Sequence, residues 1–232
     1  MKFSAILLMG GKGERFRNPT PKQLLRLGDF AVYEHALFTL VRSGFFDEII
    51  IVSEPIQLER GIAVSTEMMN EGGSILTEEQ LILVEGGTTR QQSSYNGLLA
   101  CSQDTDYVVI HDGVRPFVTE EILERNVESV MKYGAINTCI PTPDAINQVS
   151  GAESQGIFPR GQCMLGQTPQ SFAYGLILEA HKKTKQTDAT DDCSLVLELG
   201  HPVHIVMGDQ ENFKITTPLD LEFARTLLSK GE

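Results

Sequence analysis

Short apolar runs of β type alternate along this chain with stretches whose apolar residues recur at helical spacing, the rhythm of a parallel sheet with crossover helices. Strands are expected at residues 5–9, 48–52, 81–84, 107–110, 135–140 and 202–206. Leu37, Leu40 and Val41 form one helical stripe, Leu123, Val127, Val130 and Met131 a second, and Leu221, Ala224, Leu227 and Leu228 a third. The last helix has a visible start in Thr217-Pro218-Leu219-Asp220: a capping threonine, a proline at the first helical position and an acid three residues after the cap. At 232 residues and 41% apolar content, with no internal repeat or low-complexity linker, the chain can bury one substantial core. The expectation is one α/β domain over 1–232, a mostly parallel Rossmann-like sheet flanked by helices.

Residues 141–159 break the rhythm. Pro141, Pro143, Ser150-Gly151 and Gly156 punctuate alternating residues such as Ile146, Gln148 and Ser150, with no helical stripe. A protruding β-arm is expected there. Such an arm cannot bury itself within one subunit, so a homodimer formed through 141–159 is one reading and a surface loop the other.

The first strand runs into Met9-Gly10-Gly11-Lys12-Gly13-Glu14-Arg15-Phe16, followed by Pro21-Lys22-Gln23. Glycine has no Cβ to keep a phosphate from backbone N–H groups. Arg15 adds a flat fork suited to phosphate oxygens and Lys22 a compact charge. The set suits a triphosphate. It is not a Walker loop, because the required Gly-Lys-Ser/Thr after four residues is missing. It is not a dinucleotide fingerprint either, because Phe16 occupies the third small position and the second strand comes too late to supply the acidic residue. A plain glycine turn is the competing reading, and Arg15 and Lys22 count against it.

A net charge of −12 and a pI near 4.9 argue against nucleic acid or an anionic membrane as partner, since both need an extended basic surface. Met1-Lys2 and the short apolar stretch after it lack the length and cleavage site of a secretion signal, and no window approaches the roughly 18 apolar residues of a membrane helix. Cys101, Cys139, Cys163 and Cys193 are scattered, with neither metal-ligand spacing nor a compact disulfide framework. Reduced thiols in a cytoplasmic protein are expected.

In open α/β sheets the ligand crevice lies beyond the carboxyl ends of the strands. Gly86-Gly87-Thr88-Thr89-Arg90-Gln91-Gln92-Ser93 follows the third expected strand, and His111-Asp112-Gly113-Val114-Arg115-Pro116 follows the fourth. Glycines and short hydroxyls there can meet a base and a ribose. Asp112 can hold a divalent cation or a substrate hydroxyl, or be a turn residue, with His111 orienting it. His201 and His204 would lie on opposite faces of a strand, which excludes a shared zinc. Further on come Arg160, Gln167-Thr168-Pro169-Gln170, Thr190-Asp191-Asp192 and Asn212-Phe213-Lys214-Ile215-Thr216. Each alone is a weak signal, and Asp191-Asp192 could simply cap the following helix.

From about residue 3 to 228, six such motifs in this order resemble the 2-C-methyl-D-erythritol 4-phosphate cytidylyltransferases of the nucleotidyltransferase superfamily. They are Gly11-Lys12-Gly13-Glu14-Arg15 with Pro21-Lys22-Gln23, Gly86-Gly87 with Arg90 and Ser93, 111–116, 167–170, 190–192 and 214–216. The resemblance implies a nucleotide-diphospho-sugar transferase type of fold, with cytidylyl transfer from CTP to a polyol phosphate, pyrophosphate release and magnesium. It implies Arg15 and Lys22 as catalytic residues, and Met9, Gly10, Gly11, Gly13, Gly86, Gly87, Ser93 and Gly113 at the nucleotide. It also implies Arg160 and Lys214 on the acceptor phosphate, Asp112, Arg115 and Thr168 as further acceptor contacts, and an arm that reaches a second subunit. Ala145 and Pro159 stand where the family pattern has threonine and aspartate, and Gly166-Gln167-Thr168-Pro169-Gln170-Ser171-Phe172 is also similar to relatives acting on ribitol 5-phosphate. A ribitol-5-phosphate cytidylyltransferase is therefore the alternative. A nucleotide-binding protein without transferase activity is the second.

Overall fold

The computed structural model of the chain describes residues 1–10, 16, 20–54 and 80–230. Its centre is a seven-stranded sheet in the order β11-β7-β10-β6-β1-β4-β5. The strands are β1 (Phe3–Leu8), β4 (Glu48–Ser53), β5 (Leu81–Glu85), β6 (Tyr107–Asp112), β7 (Ala135–Pro141), β10 (Met164–Ala173) and β11 (His204–Met207). Every pairing is parallel except those of β10, which runs antiparallel to both β6 and β7. Two short strands, β2 (Arg26–Leu27) and β3 (Phe30–Ala31), pair separately. The chain leaves β1 toward β4 and β5 on one side and returns to β6 on the other. The strand order therefore reverses at β1, and the crevice opens beyond the carboxyl ends of β1 and β6.

The period of two along β1 assigns its side chains to two cores. Phe3, Ala5, Leu7 and Met9 pack with Leu37 and Leu40 of α1 (Val32–Arg42) and Ile122, Leu123 and Val130 of α3 (Glu120–Tyr133). Ile6 and Leu8 pack on the other face with Leu98 of α2 (Arg90–Ala100), Ile177 of α4 (Tyr174–Lys183) and Leu195 of α5 (Cys193–Glu198). Burying a side chain of this size contributes about 2 kcal/mol against an extended unfolded chain. Gly97 lets α2 approach the sheet closely, since a Cβ there would sit 2.7 Å from Ile6 Cγ2. A third apolar cluster, Leu27, Val32, Ile215, Leu221 and Ala224, seats α6 (Pro218–Leu228). The expected start of α6 is present: Thr217 accepts from the Asp220 N–H, and the Asp220 carboxylate accepts from the Thr217 N–H.

The expected strands are all present, with ends shifted by a residue or two. β10 has no counterpart among the expected strands. Gln167, Thr168, Gln170 and Ser171 are polar yet buried, because each finds a partner: Gln167 Nε2 donates to the Asp209 carbonyl, Thr168 Oγ1 accepts from the Asp112 N–H, Gln170 Nε2 donates to Asn137 Oδ1 and Ser171 Oγ to Asn126 Oδ1. Met131 lies off its expected stripe and is exposed, and buried Asn126 and Ile122 take that face of α3. His201 precedes β11 and His204 begins it, so the two histidines do not share a strand; His204 stacks on Tyr133.

β8 (Ile146–Ser150) and β9 (Glu153–Phe158) form an antiparallel hairpin with no ladder to the main sheet. Val149, Ile157 and Phe158 on it are exposed. Among the described residues no helix is long and apolar enough to cross a membrane.

Candidate active site

The carboxyl ends of β1, β4, β5 and β6 are tied together by backbone. The Met9 N–H donates to the Val52 carbonyl, the Gly86 N–H to that of Ser53 and the Gly113 N–H to that of Leu8, each at 2.8 Å. Buried Gln23 donates from Nε2 to the Met9 carbonyl at 2.6 Å, pinning the Pro21-Lys22-Gln23 turn beside the end of β1. Lys22 is the residue before Gln23 in that turn. Gly11, Gly13 and Arg15 lie outside the described residues. Ser93, in the first turn of α2, donates to the Thr89 carbonyl and accepts from the Gly87 N–H at 3.0 Å. A Cβ on Gly86 would come within 3.2 Å of the same hydroxyl oxygen. On Gly113 it would meet the Leu8 carbonyl at 3.2 Å, so backbone passes close there.

The second part of the site grows from Asp112, the last residue of β6. Its carboxylate accepts from Lys214 Nζ at 2.8 Å and from Arg90 Nε at 3.4 Å, with Arg115 Nε at 3.9 Å. Arg115 donates from a terminal nitrogen to the Asn212 carbonyl, and Asn212 Nδ2 donates to the Thr168 carbonyl, closing a ring around the acid. The Ile215 N–H bonds the Val114 carbonyl and so brings Lys214 alongside. A register shift in β10 between Gly166 and Gln170 spans Thr168, which accepts from the Asp112 N–H at 3.0 Å. Burial works to raise the Asp112 carboxyl, but Arg90, Lys214 and Arg115 outweigh it and hold the group well below the usual carboxylate range. Burial lowers the Arg115 guanidinium. Lys214 is the more exposed end of the cluster, with 37% of its side chain accessible against 8% for Asp112.

Asp112, Arg115, Thr168 and Lys214 are thus brought together as the sequence suggested, and His111 lies buried beneath them. Arg160 is not joined to them. It lies exposed in the turn Arg160–Gln162 at the base of the arm, and no hydrogen bond or ion pair links it to the cluster among the described residues. Arg90, Asp192 and Asn212 lie within or beside the sequence motifs, yet no site role is expected of them there, and of Asp192 only a possible helix cap. Ser94 and His181 carried no signal at all. Asp192 stands at the N-cap position of α5, but the side chain that bonds the helix N-terminus is that of Asp191, accepting from the Ser194 N–H at 2.8 Å.

Asp112 is a poor seat for magnesium. Its oxygens already accept from two cations, a third lies 3.9 Å away, and no group of three His, Cys, Asp or Glu able to hold a metal occurs among the described residues.

The sequence model of the 2-C-methyl-D-erythritol 4-phosphate cytidylyltransferase family matches residues 3–230. This chain belongs to that family. A cytidylyltransferase of that name from Syntrophus aciditrophicus is 38% identical over 237 residues, spanning 100% of this chain and 97% of its own length. The cytidylyltransferase from Halalkalibacterium halodurans is 36% identical, covering 100% and 99%. Among solved structures, the Thermus thermophilus cytidylyltransferase superposes with a TM-score of 0.74 at 30% identity, over 97% of this chain and 98% of that one. The 4-diphosphocytidyl-2C-methyl-D-erythritol synthase of Anaerococcus prevotii gives 0.83 at 28% identity, over 98% and 96%.

Proposed function

We propose that this protein transfers the cytidylyl group of CTP to 2-C-methyl-D-erythritol 4-phosphate, releasing pyrophosphate, in the supply of isoprenoid precursors. The observation that carries the reading is that two lysine-bearing segments meet one sheet end: the turn that holds Lys22, pinned through Gln23 to the Met9 carbonyl after β1, and Lys214, held on Asp112 at the end of β6. A reaction that joins two phosphates needs a cation for each.

The acceptor phosphate oxygen attacks the α-phosphorus of CTP in line, and pyrophosphate leaves with the broken bond's electron pair. No covalent intermediate is required, so positioning and charge neutralisation do the catalysis. Arg15 and Lys22 stabilise the crowded phosphorus centre, each contact contributing roughly 3 kcal/mol. Met9, Gly10, Gly11 and Gly13 line the triphosphate, Gly86, Gly87 and Ser93 face the cytosine, and Gly113 faces the ribose. Lys214 and Arg160 take the acceptor phosphate, with Asp112, Arg115 and Thr168 on its hydroxyls. Magnesium would be held by the phosphates of CTP rather than by Asp112, and would neutralise part of their charge. We further propose that residues 1–232 act as one domain, that the arm pairs two copies into a dimer, and that the enzyme works in the cytoplasm without nucleic acid or membrane. Pyrophosphate release with CTP and each candidate acceptor tests the assignment.

A further inference from the structure

Arg90 opens α2 and Asp192 sits where α5 begins, 102 residues away, yet the two meet at 2.8 Å. Asp192 is 1% exposed and, though it stands at the N-cap position of α5, its side chain makes no capping bond. Its Oδ1 accepts from Ser94 Oγ at 2.7 Å and from His181 Nε2 at 2.9 Å, its Oδ2 accepts from Arg90, and its own N–H donates to Gln170 Oε1. The His181 ring is in turn stacked on Tyr95. A carboxylate is costly to bury unless it is paired and hydrogen-bonded, and this one accepts three bonds from fixed partners on both of its oxygens.

The guanidinium it holds faces two ways: one nitrogen of Arg90 goes to Asp192 and another, Nε, to Oδ1 of Asp112. We propose that Arg90 is a positioning residue that ties the Asp112–Lys214 pair to the buried Asp192 anchor, so that the acceptor side of the site is held in one arrangement before substrate arrives. The inference rests on the reading of Asp112 and Lys214 as acceptor contacts. Arginine suits the task because its planar fork meets two carboxylates from one side chain. A lysine ammonium on a shorter stem cannot bridge the two in that geometry.

The test uses the full chain as Arg90→Lys, Asp192→Asn and the double variant, with kinetics of pyrophosphate release and crystal structures without substrate. The expected result is an acceptor KM raised at least ~10-fold in each single variant, a CTP KM changed less than ~3-fold, and a double variant no worse than the poorer single, since both act through one chain of contacts. In the crystal of Arg90→Lys, Asp112 and Lys214 should leave their 2.8 Å contact. Equal losses for CTP and acceptor, additive losses in the double variant, or an undisturbed Asp112–Lys214 pair would each overturn the inference. Should Arg90→Lys not fold, Asp192→Asn carries the same readouts. A wild-type protein that transfers nothing while Asp112 moves in the variants contradicts the functional reading and leaves the tie standing.

Discussion

His111 Nδ1 and Thr168 Oγ1 lie 3.1 Å apart, and the proton between them belongs to the threonine. On the far side of the ring Nε2 faces the Arg115 carbonyl at 3.1 Å, which can only accept, so the N–H is there and Nδ1 is the acceptor. Burial holds the imidazole in this neutral form by pushing its pKa down to about 4. The Thr168 oxygen, which also accepts from the Asp112 N–H, therefore has its hydrogen committed and presents only a lone pair to a ligand. A substrate hydroxyl suits it; a substrate carbonyl does not.

Stability should fall on acidification through this histidine. The unfolded chain binds its proton near pH 6.5 and the folded chain only near pH 4, so between those values the unfolded state holds more protons and stability rises with pH. The difference amounts to about 3 kcal/mol across that window. Denaturant titrations at pH 7 and pH 4 should show this loss in the wild type and a visibly smaller one in His111→Gln. Identical pH dependence in the two proteins would contradict the buried neutral ring.

Thr168→Val removes the partner of both the Asp112 N–H and His111 Nδ1, while Thr168→Ser keeps it. Each buried group left unpaired costs about 1–3 kcal/mol. Chemical unfolding should rank wild type and Thr168→Ser close together and Thr168→Val well below, and equal stability of the three would refute the network.

Lys22→Ala should leave the fold and most CTP affinity intact but lower turnover at least ~10²-fold. Calorimetric CTP binding and steady-state rates measure the two effects separately. Full turnover in the variant would remove Lys22 from the reaction.

Deletion of residues 144–156 takes away the exposed Val149 of β8 and most of the hairpin without touching the main sheet. Light scattering should report a dimer before and a monomer after. An unchanged dimer would place the subunit contact elsewhere.

How much of this could be read from residues alone follows from what kind of signal each feature leaves. β1 and β4 are buried on both faces, and their apolar stretches, residues 5–8 and 49–52, stand out in the sequence. β10 is buried too, but Gln167, Thr168, Gln170 and Ser171 satisfy their polar atoms on side chains from distant elements, and no local pattern announces that. The cluster around Asp112 was legible residue by residue, since Asp112, Arg115, Thr168 and Lys214 each lie in a motif. Its support was not: Asp192 joins Arg90 across 102 residues, and His181 is one histidine on a helix. Arg160 was read with that cluster, yet the chain itself leaves it on the surface beside the arm.

The most direct test of the account is pyrophosphate release by the wild-type protein given CTP and magnesium, with 2-C-methyl-D-erythritol 4-phosphate and ribitol 5-phosphate offered separately. The account predicts turnover with both components present and the larger kcat/KM for the methylerythritol phosphate. A larger value for ribitol 5-phosphate, or no release with either acceptor, would contradict it.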